Sequence, residues 1–152
     1  MPLSTIDNTG LSQSQILSAI NMPTGSVIQT ITASAPVFST SSGSPVATGL
    51  SASITPLFST SKIIVQVFWN PYTPISAEID GYLYRNGSNV FGYWIDQYGS
   101  ASQIISTSSA FYTESPGSTS TITYATYLKT STGTVNTGGS SQNQQMLIME
   151  IR

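Results

Sequence analysis

The chain has 152 residues, the size of one ordinary domain, with 27 serines, 20 threonines, four basic and six acidic residues, and neither His nor Cys. Without imidazole there is no Ser–His–Asp triad, and without imidazole or thiol no zinc or iron–sulfur site of the usual kind, so neither cofactor nor catalysis is expected. Four cations make no basic face, so neither nucleic acid nor an anionic membrane is expected as a partner.

Hydrophobic residues are 39% of the chain and aromatics 10%, against a net charge of −2. Disordered chains combine few aromatics with high net charge, the opposite of this balance. The abundant Thr, Val, Ile, Tyr and Phe are strand formers, so the expectation is an all-β domain with small polar residues on its wet face. A surface so short of charge is weakly protected against self-association, which points to burial against sister subunits or a larger assembly.

Residues 1–24 stand apart as an arm, and residues 25–152 form the β domain. Leu3, Ile6, Leu11, Ile16, Leu17 and Ile20 are spread through a polar background, more apolar side chains than a solvated tail needs. Ser12 with Gln15 three places later suits a capping box, and Leu11, Ile16, Leu17 and Ile20 then predict one short helix that Pro23 stops. So short a helix is marginal alone, so the arm is expected to order against a partner.

From Gly25 the pattern is strand and turn. Ser26–Ser34 alternates, and Leu50–Leu57 places Leu50, Ala52 and Ile54 inward. Lys62–Trp69 is the strongest strand signal, with Ile63, Val65, Val67 and Trp69 on one face and Ile64, Gln66 and Phe68 on the other, which predicts burial on nearly both sides. Ala77–Arg85 sets Ile79, Gly81 and Leu83 opposite Asp80, Tyr82 and Tyr84. Asn86-Gly87 then marks a type I′ hairpin whose return strand is Asn89–Gln97. Gln103–Glu114 ends at the turn Ser115-Pro116-Gly117-Ser118, and Thr119–Thr130 alternates over a long run. The Gly/Thr/Ser loop 131–142 has room for a short strand near Thr134-Val135-Asn136. Gln145–Ile151 closes the chain with Leu147, Met149 and Ile151 on one face. About eight antiparallel strands at such intervals predict a β-sandwich or jelly roll behind an extended N-terminal arm. No apolar stretch approaches the ~18–20 residues of a membrane helix. No basic region followed by an apolar core marks a secretory signal, and the lack of Cys fits assembly in a reducing cytoplasm.

Several blocks together resemble a known family. They are Met22-Pro23-Thr24-Gly25-Ser26-Val27-Ile28-Gln29, Thr55-Pro56 leading into Ser59-Thr60-Ser61-Lys62-Ile63-Ile64-Val65, and Leu83-Tyr84-Arg85-Asn86-Gly87. Ser115-Pro116-Gly117-Ser118 before Tyr124 and Met146–Glu150 with Ile151 follow. They are similar to small tailed-bacteriophage virion proteins: β-sandwich modules of tail fibres, head fibres and capsid decoration or cement proteins. The blocks are turn and core residues, so they carry fold and no catalytic site. The resemblance implies a homotrimer on the virion surface. A long tail fibre is expected to carry a shaft before its tip, and the roughly 24 residues before the sandwich favour instead the expectation of a capsid decoration protein, or short head fibre, whose arm binds the major capsid protein. The alternative is a receptor-binding knob plugged into tail proteins and recognising a host surface glycan.

Other residue groups have plainer readings. Glu78, Asp80 and Asp96 lie near the hairpin, but six acids in a whole chain rarely meet the demands of a glycosidase pair or a calcium site. The expectation is solvated or Arg-paired acids, with Arg85 as partner, and no metal. Tyr72, Tyr93, Trp94, Tyr98 and Tyr112 suit either a sugar-stacking platform on a receptor-binding face or the core and trimer interfaces. Trp69 is expected in the core. Asn86-Gly87-Ser88 matches a glycosylation acceptor, but the turn already accounts for Asn and Gly.

Overall fold

The computed structural model describes residues 22–73, 78–92, 97–98, 104–105, 107–137 and 143–152. The arm through residue 21, with all six of its apolar residues, lies outside these residues, as do Tyr93, Trp94 and Asp96.

The described residues hold strands and no helix. In chain order these are β1 (Val27–Ala35), β2 (Ser39–Thr40), β3 (Val46–Ile54), β4 (Lys62–Trp69), β5 (Tyr72–Thr73), β6 (Glu78–Arg85) and β7 (Ser88–Gly92). There follow β8 (Gln97–Tyr98), β9 (Ile104–Ile105), β10 (Ser108–Glu114), β11 (Ile122–Thr130), β12 (Val135–Asn136) and β13 (Gln144–Ile151). Eight of them have five or more residues, and these make the body.

The long strands pair antiparallel from the outside of the chain inward. The first pairs with the last (β1 with β13), the second with the seventh (β3 with β11), the third with the sixth (β4 with β10), and the fourth with the fifth (β6 with β7). Further pairing of β13 with β4 and of β11 with β6 assembles two sheets, β1-β13-β4-β10 and β3-β11-β6-β7. This nested pairing is a jelly roll, a β-sandwich in which long connections cross between the sheets. The two-residue strands form a small third sheet, β2-β12-β5-β9, and β8 extends the second sheet along β6.

The core lies between the two main sheets. Ile63, Val65, Val67 and Trp69 of β4 are buried and meet Leu50, Ile54, Ile79, Leu83, Ile122, Tyr124 and Leu128 from the opposite sheet. This is strand alternation read directly as burial, with every second side chain inward. Trp69 is a core residue, 1% exposed, as the alternation of β4 predicts.

One expectation fails at the outer surfaces. The second face of β4 is open, with Gln66 and Phe68 exposed and Ile64 half-buried, so β4 is not covered on both sides. In β13 the buried set is Gln144, Met146, Ile148 and Glu150, while Leu147, Met149 and Ile151 are only half-buried. The outer set of β13, Leu147, Met149 and Ile151, is the more apolar one, so periodicity alone points to the wrong face. The partner strands choose: Met146 and Ile148 stand in register with the buried Val67 and Val65 of β4.

The registers also define two ends. Val27 pairs with Ile151, and Ile151 with Lys62, so β1 begins beside the end of β13 and the start of β4. Residues 22–26, the 55–61 loop and the Asn86-Gly87 turn therefore lie at one end, called here the arm end. Ala35, Gln144, Trp69 and Ser108 mark the other end, which leads into the small third sheet.

Candidate interaction surfaces

Each acidic side chain whose surroundings are described, apart from that of Glu78, has a structural partner. Asp80 is 2% exposed, and one of its oxygens accepts from Lys129 Nζ at 2.8 Å. That hydrogen bond, and then one with Tyr82, holds the Lys129 ammonium above the usual lysine range. Glu114 accepts from Arg85 Nε at 2.8 Å and from the Tyr124 hydroxyl. Tyr124 is fully buried; burial first, then its bond to Glu114, pushes its phenol well above the usual tyrosine range. Arg85 thus partners Glu114, 29 residues away, while Asp80 pairs with Lys129 and Asp96 lies outside the described residues. No three potential metal ligands cluster among the described residues.

At the arm end the chain ties its own two ends together. Gly25 N donates to Arg152 O at 2.6 Å, Arg152 N to Ser26 O at 3.0 Å, and Arg152 Nη1 to Met22 O at 2.7 Å. The Arg152 guanidinium also sits over the Phe58 ring, 5.1 Å from its centroid, a cation–π distance. Glu150, 0% exposed, holds the loop that carries Phe58: its Oε1 accepts from Leu57 N at 2.7 Å, Phe58 N at 3.3 Å and Ser61 Oγ at 2.6 Å. This clasp fixes where residue 22 leaves the body. Exposed Val27 and Leu57 lie beside the exit.

The outer side of the β1-β13-β4-β10 sheet is the most unusual surface. Its side chains line up in three cross-strand rows: Thr30–Met149–Ile64–Thr113, Thr32–Leu147–Gln66–Phe111, and Ser34–Gln145–Phe68–Ser109. None of the twelve is charged. Phe111 is 57% exposed and Phe68 38%. An open depression of about 600 Å³ crosses the face between Thr32, Ser34, Gln66, Phe68, Gln145 and Leu147. Among the described residues, Lys62, where β4 begins, is the one charge on this side, and it sits at the arm-end rim. Sequence reasoning missed Phe111 and Phe68 as surface residues. The available signal was the apolar second face of β4, read then as interior.

The predicted aromatic platform is only partly in view. Tyr72 is half-buried in β5, and β8, which carries Tyr98, pairs with the start of β6. Both backbones lie toward the end opposite the arm. Tyr112 points inward instead, its ring 6.4 Å from that of Tyr124 and 6.2 Å from that of Phe91, an aromatic seam between the sheets. Sequence reasoning also missed the outer face of the second sheet, where Tyr84 and Tyr127 stack with centroids 3.9 Å apart.

No protein-family model matches this sequence, and no curated protein matches it either. Among solved structures, the chain is similar over 100% of its length to the VP2 subviral particle of infectious bursal disease virus, with a TM-score of 0.53 and 14% identity. The chain spans 37% of the length of that VP2 chain. At this identity the likeness is one of fold: an all-β sandwich of antiparallel sheets.

Proposed function

We propose that this chain is a structural component of a bacteriophage virion: a trimeric decoration or cement protein, docked on the major capsid protein by its N-terminal arm. The carrying observation is that the whole chain has the fold of part of a viral capsid protein. The described interior supports a structural role, because its carboxylates are spent on Lys129, on Arg85 with Tyr124, and on loop amides.

The clasp supports the arm mechanism. Residues 22–26 are tied to Arg152, so apolar residues of the arm start from a fixed point. Burying Leu3, Ile6, Leu11, Ile16, Leu17 and Ile20 on a capsid would contribute up to roughly 1.5–3 kcal/mol each before ordering costs. Three arms per trimer multiply the effect through avidity. The trimer then bridges neighbouring capsid subunits on the virion surface, after assembly in the host cytoplasm. Full-length protein added to undecorated capsids should bind and cosediment, and protein lacking residues 1–20 should stay in the supernatant. Equal binding by the truncated protein would overturn the arm mechanism.

A second reading, a tail or fibre knob recognising a host surface glycan, is favoured by one observation. Tyr72 and Tyr98 belong to strands at the end away from the arm, where a receptor-binding tip would lie. Glycan-array binding that is lost in Trp94→Ala would support that reading over cement.

A further inference from the structure

We infer that the uncharged outer face of the β1-β13-β4-β10 sheet is where copies of this chain meet. The inference rests on the proposed homo-oligomer and names the surface that forms it. Three features of the face argue for a second copy as its occupant.

The first is self-compatibility. In a trimer whose three sheets face a common three-fold axis, the same side chains of all three copies converge, so a face with net charge repels itself. The twelve central positions here carry no charge, and of the described charged residues only Lys62 lies on this side, at its rim. The polar residues on the face are Thr, Ser and Gln, which both donate and accept hydrogen bonds and so can satisfy their own copies.

The second is size. Four strands about 4.8 Å apart and about 25 Å long give a footprint of about 500 Å². That is the size of the largest surface patch on a typical monomer, a patch that is often functional. Three such footprints turned toward one axis total about 1,500 Å², above the roughly 1,000 Å² that a specific interface needs.

The third is the distribution of apolar residues. Ile64, Phe68, Phe111, Leu147 and Met149 lie on three adjacent strands of one sheet and form a continuous patch, with hydroxyl residues of β1 along one border. Phe111 is the most exposed large hydrophobic residue among those described, and the middle row places it beside Gln66 and Leu147. An exposed aromatic within such a patch is the usual anchor of an interface.

The test uses full-length protein and Phe111→Asp, with mass measured in solution by light scattering and folding checked by far-ultraviolet circular dichroism. Phe111 is mostly exposed, so the variant should keep the wild-type spectrum. The wild type should run at three chain masses and Phe111→Asp at one, while Val37→Asp, an exposed control off the face, should remain at three. Should Phe111→Asp fail to fold, Phe111→Ser serves, with a dissociation constant at least about tenfold weaker than wild type. A wild type that assembles and a folded Phe111→Asp that assembles equally well would overturn the face and leave the oligomer standing. A monomeric wild type that still decorates capsids would overturn the inference and leave the virion reading standing. Loss of assembly only on removal of residues 1–20 would assign the contact to the arm and overturn the inference.

Discussion

Glu150 sits where alternation asks for a core side chain, yet it is a carboxylate. It is tolerated because one oxygen collects two loop amides and the Ser61 hydroxyl, three donors from a single turn. Glu150→Ala would strand all three donors and free the loop that carries Phe58. The expected cost is about 3 kcal/mol, read as a lower midpoint in urea unfolding. Tyr124 gives a pH prediction. Its folded-state proton affinity is raised, by burial first and then by Glu114, so the fold favours the protonated phenol. The stability it contributes is complete below the ordinary tyrosine value near 10 and is lost as pH rises above it. Tyrosinate absorbance from this residue should therefore appear together with loss of the β signal in circular dichroism. Tyr124→Phe should show a shallower alkaline fall. An early tyrosinate signal from Tyr124 with the fold intact would contradict this.

Among the elements, β4, the Asn86-Gly87 hairpin and the short β12 were legible in the sequence because their signals are local. Strict alternation, a pair of residues able to take positive φ, and a small strand patch within a Gly/Thr loop each declare themselves. Asn86 (φ 49°) and Gly87 (φ 82°) form the expected turn, and Asn86 Oδ1 also accepts from Thr123 N at 2.8 Å. Gly87→Ala puts a Cβ at positive φ and should cost about 1 kcal/mol, measured by thermal unfolding. The start of β3 was not legible, because Pro45 and Gly49 read as turn residues. Gly49 (φ 85°) instead lies in a bulge, where β11 steps from Ser51 to Ala47 across Thr48 and Leu50. Thr48 Oγ1 and Thr126 Oγ1, 2.6 Å apart, form a buried hydroxyl pair there. The inward face of β13 was also hidden: the choice rests on register with β4 and on donors from the 55–61 loop, all distant in sequence. The same holds for Arg85, whose partner comes from the opposite sheet.

For the molecule as a whole, composition already implied a surface that meets other copies or a larger body, and the proposed interface gives that implication an address. The apolar second face of β4 was visible in the sequence but read as interior. Within one copy it is exterior, and a neighbouring copy would restore the burial that the pattern suggests. In the proposed assembly the arm end and the uncharged face divide the work: the clasp would aim the arm, and the face would join the copies. High salt should leave assembly nearly unchanged, because no charge pair contributes at the centre of the face. Analytical ultracentrifugation across a salt series checks this, and dissociation at high salt would point to a charged interface elsewhere. The most direct test is an image of the intact particle at a resolution that distinguishes β-sandwiches. The account predicts clusters of three jelly rolls at regular positions over the capsid, with arms running onto the lattice and the Phe111 faces turned toward one another. A few copies confined to the tail, or isolated single sandwiches, would contradict it.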